Sequence, residues 1–388
     1  MQKKQLEQPE VVHVLHVFGK LNRGGAESRV MDLYRNIDRS KVQFDFMQHT
    51  TMICDFQSEI ENMGGTVYHV PPFRVWNYFS YCRAWKKFLR EHPEIKVVHG
   101  HMTSTAGIYL PIVRKETTAY TIAHSRNAGV SSGVKGILTK ILRRGLSKKC
   151  DRCFACSQLA GEAVFGKKAM ESGEVTIIPN AIDTERFLFQ KEMRRQKREE
   201  LGIAPQEILL GVVGRFDEQK NQPYAVEILK ECQKLGLPAK LIFVGEGPLR
   251  GNVEKLVHQM ELDKEVIFAG LQNNVVPFYQ AMDFFLLPSF YEGLPGVAIE
   301  AQASGLRGIL SDAVTTEAGV TDLMEFRSIK EPASLWAESI AARCSYERQD
   351  TGKQLREAGF DVKALAEKLQ NFYLYVTDED KKGNFYEL

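Results

Sequence analysis

A chain of 388 residues is longer than one hydrophobic core usually serves, so two domains are expected. Its 51 basic and 49 acidic residues leave a formal charge of +2, too balanced for a nucleic-acid partner held by bulk charge, and no apolar run approaches the roughly 20 residues that span a bilayer. Apolar content of 44% and charged content of 26% are those of an ordinary globular protein, and seven cysteines without a disulfide-like framework fit a reducing compartment.

The opening MQKKQLEQPE lacks the apolar core of an export signal, so the chain is expected to be cytoplasmic. Residues 11–18 (VVHVLHVF) suit a first strand. A loop over 19–25 follows, ending in Gly24 and Gly25, which without a Cβ allow close approach of a backbone or a ligand. A helix begins at Ala26, with Val30, Leu33, Tyr34 and Ile37 on one buried face. Further strands are expected at 42–47, 66–70, 97–101, 119–124, 152–156 and 175–178, with helices such as 81–91 between them. This alternation implies a parallel sheet covered on both sides.

Ligands of such sheets bind beyond the carboxyl ends of the strands. His124 closes the run AYTIAH before Ser125, Arg126 and Asn127, which makes it a site candidate. His99 and His101 end a strand in VVHGHM; His101 is the better site candidate and His99 reads as structural. Cys150, Cys153 and Cys156 have ligand-like spacing. On a strand, however, residues three apart point to opposite faces and no fourth ligand is near, so they read as buried strand cysteines. Residues 133–149 carry Lys135, Lys140, Arg143, Arg144, Lys148 and Lys149 without an acid, and Ile137, Leu138, Ile141 and Leu142 at helical spacing. Such a helix can rest on anionic lipid headgroups or simply pack its apolar side on its own domain.

The run IPNAIDTERF, 178–187, is a Pro/Asn turn placed where a linker belongs. Residues 191–200 read as a charged, solvated helix. A strand at 208–213 leads into a loop with Arg215 and Lys220, two cations at a strand's edge beside a helix start, as a diphosphate requires. Strands at 241–244 and 266–269 each end in glycine, Gly245 and Gly270. A buried strand at 284–287 meets Pro288, then a loop with Glu292 and Gly293. Pro295 sits where a helix starts, Gly305 stops that helix, and 308–310 is another strand. Glu292 and Glu300 therefore flank backbone N–H groups, around Gly293 and Leu294, that suit a phosphate. Two acceptor-only carboxylates there suit the hydroxyls of a nucleotide sugar. Beyond Asp312 only two helices are legible, 335–344 and 362–375. The D-x-D of residues 378–380 reads as a solvated acidic run rather than a metal site.

S-x-x-E-G-x-P, then E-A-x-A-x-G, then a strand ending in S-D resembles the nucleotide-sugar site of the retaining glycosyltransferases of family 4, of the capsular and exopolysaccharide type. N-R-G-G-A-E at 22–27, the IPNAID run and G-R-F-x-x-x-K-N at 214–221 resemble the same family. The resemblance implies an α/β chain of the GT-B fold, two Rossmann-like doubly wound domains facing a central cleft. Residues 1–185 would bind acceptor, 186–360 the nucleotide sugar, and 361–388 would supply a helix crossing back to the first domain plus a polar tail. Implied donor-binding residues are Gly24, Gly25, Arg215, Lys220, Gly245, Glu292, Gly293, Leu294, Pro295 and Glu300. Glu292 would face the hexose and Glu300 the ribose. Asn22, His101, His124 and Arg126 fall to the acceptor, and His124, Glu292, Arg215 and Lys220 to catalysis. Two departures stand out: the family's H-S-H-N has Arg126 in its third place, and its G-x-P-V reads Gly305-Leu306-Arg307-Gly308 here.

The activity so implied is transfer of a hexose from a nucleoside diphosphate sugar, with a UDP-sugar the favoured donor, to an acceptor hydroxyl with retention and without a metal or other cofactor. The acceptor would be a lipid-linked saccharide, and the basic helix could hold the enzyme on the inner face of the cell membrane; nucleic acid is no partner. Two rivals share the architecture: a nucleotide-sugar 2-epimerase, and a non-catalytic protein that binds nucleotide sugar.

Overall fold

The structure is a computed structural model and describes residues 11–22, 24–126 and 133–378. It comprises two compact units: Met1–Asn180 with Val362–Leu388, and Ala181–Asp361. The border falls inside the IPNAIDTERF turn, and the C-terminal helix Val362–Thr377 belongs to the first unit. Arg23, Asn127, Glu379 and Asp380, and the side chain of Lys135, lie outside the described residues.

The first unit holds strands β1 Val12–Phe18, β2 Val42–Gln48, β3 Val67–His69, β4 Ile95–Gly100, β5 Tyr120–Ser125, β6 Arg152–Ala155 and β7 Val175–Ile177. All pair in parallel, in the order β3-β2-β1-β4-β5-β6-β7. The second unit holds β8 Ile208–Val213, β9 Ala239–Val244, β10 Val266–Gly270, β11 Phe284–Leu287, β12 Gly308–Ser311 and β13 Met324–Arg327. It too is parallel, in the order β10-β9-β8-β11-β12-β13. Each sheet therefore reverses direction once, between β1 and β4 and between β8 and β11. At such a switch point the loops leaving the two central strands diverge to opposite faces and leave a crevice.

Burial explains why the strands were legible. β11 is buried at all four positions and β2 at all seven, as a sheet covered on both faces demands. In the first unit Tyr81, Trp85 and Tyr109 pack with Leu15, Val98 and Ala123. In the second, Trp336, Ile340 and Tyr224 pack with Leu210, Phe284 and Ile309. β13 escaped the sequence because its residues, MEFR, alternate over only four positions and form no apolar run; only Met324 is buried.

Three expectations need correction. The helix Lys191–Glu200 is not simply solvated: Arg198 is buried, its guanidinium donating to Asp283 at 2.8 Å and to the carbonyls of Ala204 and Glu207. Cys150 and Cys153 do not point apart. Cys150 precedes β6 on a turn, which swings its Sγ to 3.5 Å from that of Cys153; both are free and buried. Pro295 is not the first helical residue but caps the helix Gly296–Ala303 from outside.

Candidate active site

In the second unit the switch point is built from the loops after β8 and β11. The chain leaves β8 through Gly214, whose φ of 154° lies where side chains are rarely tolerated. Gly214 N–H donates to Val244 O and Phe216 N–H to Glu246 O, so the loops after β8 and β9 lie against one another. Gly245 is required for that contact: a Cβ there would collide with the Gly214 carbonyl oxygen. Asp217 then starts a short turn of 3-10 helix, Glu218–Lys220, by accepting from Lys220 N. The turn ends at Asn221 in the left-handed conformation, and Asn221 Nδ2 ties it to Pro288 O beyond β11 at 3.2 Å.

That tie brings Lys220 to Glu292. Nζ donates to Oε1 at 2.6 Å, and both side chains are largely buried, at 15% and 10% exposure. Ser289 Oγ donates to the same oxygen at 2.9 Å and Gln219 Nε2 to the other at 3.1 Å. Glu292 is thus held by a cation and two neutral donors. Gly293, Leu294 and Pro295 follow, all buried, and lead into the helix Gly296–Ala303. Its first backbone N–H groups have no side-chain cap, which leaves donors for an anion. One turn on, Glu300 is buried and accepts from Tyr279 Oη at 2.8 Å. Arg215 is different. Its side chain is 72% exposed and bonds Asp217 at 2.7 Å from Nε, so it is a solvated charge rather than a buried one.

In the first unit the switch point gathers rings instead of ions. His16 on β1, His99 on β4, His101 just after β4 and His124 on β5 are all buried. His16 Nδ1 lies 2.9 Å from His101 Nε2, and His99 Nε2 lies 2.9 Å from His124 Nδ1. Arg126 Nε donates to His101 Nδ1 at 3.3 Å and its NH1 to Asn180 Oδ1 at 2.9 Å. Burial drives all four imidazoles well below their usual pKa, and the Arg126 charge pushes the same way, so the rings are neutral at neutral pH. Burial also lowers Arg126 itself, to about 10. His16, His99 and His101 are close enough to share a metal ion. His16 Nδ1 and His101 Nε2 instead bond each other, both nitrogens of His99 are spent on Tyr373 and His124, and a guanidinium already sits against His101, which favours a hydrogen-bonded network.

The structure thus brings together Lys220, Glu292, Gly293, Leu294, Pro295 and Gly245 in one unit, and His101, His124 and Arg126 in the other. Asn22 and Gly25 are exposed, and a Cβ on Gly25 would meet nothing within 4 Å, so the chain's own packing does not call for glycine there. Gln219, Ser289, Tyr279 and His16 were missed. Ser289 had a signal, three residues before Glu292 across a tight loop. His16 sits inside the first strand run, where a histidine reads as one of the alternating core positions.

Comparisons with known proteins agree with this geometry. Residues 193–331 match the family described as glycosyl transferases group 1, and residues 23–186 match glycosyltransferase family 4. EpsF of Bacillus subtilis (strain 168), named as a glycosyltransferase, is 33% identical over 375 residues, 95% of this chain and 97% of that protein. The capsular polysaccharide biosynthesis glycosyltransferase CapH of Staphylococcus aureus is 22% identical over 376 residues, 95% of this chain and 100% of CapH. Among solved structures, Anabaena Alr3699/HepE in complex with UDP aligns with a TM-score of 0.73 at 16% identity, covering 93% of this chain and 99% of that one.

Proposed function

Because this chain belongs to the group 1/family 4 glycosyltransferases and has their GT-B fold of two Rossmann-like domains, we propose that it transfers a hexose from a UDP-sugar to a hydroxyl of a lipid-linked saccharide, with retention of anomeric configuration. The observation that carries the reading is the Lys220–Glu292 pair beside the uncapped start of the helix Gly296–Ala303. A nucleoside diphosphate needs a cation and backbone N–H groups for its phosphates and carboxylates for its sugar hydroxyls. This corner offers all three within two loops.

In the proposed reaction the bond between the sugar C1 and the terminal phosphate oxygen breaks, and a bond from the acceptor oxygen to C1 forms on the same face. The acceptor's proton passes to the departing phosphate oxygen, so atoms and charge balance without a side-chain base. Lys220, with Arg215 swinging in from the rim, neutralises the charge that grows on the leaving diphosphate. These cations and the helix N–H groups take the place of a divalent metal. Glu292 orients the hexose; Glu300 holds the ribose hydroxyls. His124 contacts the reacting sugar or acceptor.

Two features support a lipid-linked acceptor. CapH is named for capsular polysaccharide biosynthesis. The helix Gly133–Arg143 exposes Ile137 and Ile141, each at 62%, next to Lys140 and Arg144, which fits a cytoplasmic enzyme resting on anionic headgroups. No helix among the described residues is long and apolar enough to cross a membrane.

A thermal-shift screen of nucleotide sugars tests the donor, since a ligand bound only to the folded state raises Tm. The stabilising donor is then incubated with and without a lipid-diphosphate saccharide, with and without EDTA. Acceptor-dependent, EDTA-insensitive transfer giving a product of unchanged anomeric configuration is expected. Donor conversion to its 2-epimer with no acceptor, or binding with no turnover, would sink the proposal.

A further inference from the structure

The first unit's histidine network has a beginning and an end, and the chemistry of its donors fixes the direction between them. On one arm the start is Arg126. A guanidinium only donates, so His101 Nδ1 must accept. A neutral His101 then carries its proton on Nε2 and donates to His16 Nδ1, and His16 in turn carries its proton on Nε2. The other arm starts at Tyr373, on the helix Val362–Thr377 that the chain returns to this unit. Tyr373 is fully buried, and its hydroxyl lies 2.7 Å from His99 Nδ1. His99 Nε2 lies 2.9 Å from His124 Nδ1.

Two proton arrangements fit those distances. In the first, Tyr373 Oη–H donates to His99 Nδ1, His99 Nε2–H donates to His124 Nδ1, and His124 presents an N–H at Nε2. In the second, every bond is reversed and His124 presents a lone pair. The second leaves the buried tyrosine hydroxyl proton without an acceptor, because His99 is the hydroxyl's only hydrogen-bond partner among the described residues. The first arrangement leaves one buried group open, the His124 Nε2–H donor, whereas the second leaves two, the hydroxyl proton and the His124 Nε2 lone pair; each open buried group is costly, so the first arrangement wins. At the far end, His124 Nε2 is buried and has no hydrogen-bond partner among the described residues, as is also true of His16 Nε2, so its N–H is open to an oxygen brought to it.

We infer that Tyr373, acting through His99, is a positioning residue that locks His124 in the tautomer with its proton on Nε2, so that His124 serves the reaction as a hydrogen-bond donor to a sugar or phosphate oxygen and not as a base. The inference rests on the reading of His124 as a ligand contact. Its first half, the direction of the relay, stands or falls without that reading. Burial holds His99 and His124 neutral, as a tautomer lock requires. The groups facing His124 are His99 from β4, His101 beyond it, Arg126 from its own strand's exit and Phe154 from β6, and none of them supplies a second proton acceptor at Nδ1.

The test uses the full chain labelled with 15N-histidine. Two-bond H–N correlation distinguishes a protonated from an unprotonated ring nitrogen, and His124→Gln assigns the signal. The wild type is expected to show His124 protonated at Nε2. In Tyr373→Phe, which removes one oxygen from a buried ring, the His124 signals should move toward the other tautomer, and kcat should fall about tenfold with donor KM little changed. His99→Gln keeps an N–H near the place of Nε2 and should hold the tautomer; His99→Leu should lose it. Should Tyr373→Phe fail to fold, the Gln and Leu pair carries the test. A wild-type His124 protonated at Nδ1 would overturn the inference. So would a Tyr373→Phe enzyme with unaltered kcat, even with a shifted tautomer, which would keep the relay's direction but remove its role. Failure of the transferase reading looks different: no nucleotide sugar is turned over by the wild type.

Discussion

The two units place their functional groups at the same topological spot and fill it with opposite electrostatics. The first unit buries four uncharged imidazoles, with a guanidinium setting the direction of one pair and a tyrosine hydroxyl at the start of the other. The second pairs a carboxylate with an ammonium and satisfies the remaining carboxylate positions with neutral donors. On the proposed function, the difference follows from what each would hold. Sugar and acceptor hydroxyls are neutral and are read by donors and acceptors of fixed direction. A diphosphate is anionic and is read by cations. In the structure Lys220 spends its charge on Glu292, so a diphosphate that recruits Lys220 must compete with that carboxylate. Ser289 and Gln219 remain to hold Glu292 in place when it does.

The largest expected effect lies in the charged unit. Lys220→Ala removes the buried cation and should lower kcat by about 10²–10³-fold, the range seen when one fixed donor to a developing charge is deleted. Arg215→Ala should cost clearly less, because that side chain is mostly exposed and a solvated charge is weakly felt. Steady-state kinetics on the two variants checks the ranking. Equal losses would mean that exposure in the structure does not report on the working position of Arg215.

Acid should separate the units next. His16, His49, His99, His101 and His124 all belong to the first unit and all have pKa values pulled down by burial. The second unit's single histidine, His258, is exposed. Above pH 6.5 neither the folded nor the unfolded chain protonates these rings, and their neutral burial costs nothing. Below it the unfolded chain takes up protons that the folded unit refuses, so stability falls as pH falls. Each ring contributes up to about 1.4 kcal/mol per pH unit. Trp85 is buried in the first unit and Trp336 in the second. Fluorescence of variants retaining one or the other, titrated with urea at pH 7.5 and 5.5, should show the Trp85 transition moving further than the Trp336 transition. Parallel shifts would show that the imidazoles are not the acid-sensitive element.

The contrast also governs what could be read in the sequence. The alternation of strands and helices was legible because a doubly covered parallel sheet needs continuous apolar runs such as FFLL, and glycine or proline marks their ends. The charged corner was legible because its members sit on two short loops: Lys220 five residues after Arg215, and Glu292 eight before Glu300. The ring cluster was only half legible. His99, His101 and His124 end strands and so announce themselves, but His16 lies within a strand and Tyr373 arrives 274 residues after His99. Nothing local marks a helix near the end of a chain as the partner of its fourth strand. Arg126, met in sequence as a departure from H-S-H-N, proves to be the donor that polarises the His101–His16 pair. The turn before β6 was misread for a related reason, since strand periodicity was extended two residues ahead of Arg152 and put Cys150 on the wrong side of Cys153.

The smallest effect tests whether the second unit's other carboxylate is held as firmly as the first. Glu300 accepts from Tyr279 Oη at 2.8 Å, and the tyrosine is fully buried beneath it. Glu300→Ala deletes the acceptor proposed for the ribose and should raise donor KM by about tenfold or more, as the loss of a hydrogen-bonded charged group does. Tyr279→Phe leaves the carboxylate but removes the hydroxyl that aims it, so donor KM should rise by only about fivefold, with kcat unchanged. The two variants together decide how the carboxylate works. If Tyr279→Phe matched Glu300→Ala, orientation would be the whole of the contribution, and the second unit would resemble the first in depending on a buried tyrosine to point a ligand-facing group. If it had no effect, Glu300 would be fixed by its own helix, and the reliance on a distant hydroxyl would be peculiar to the rings.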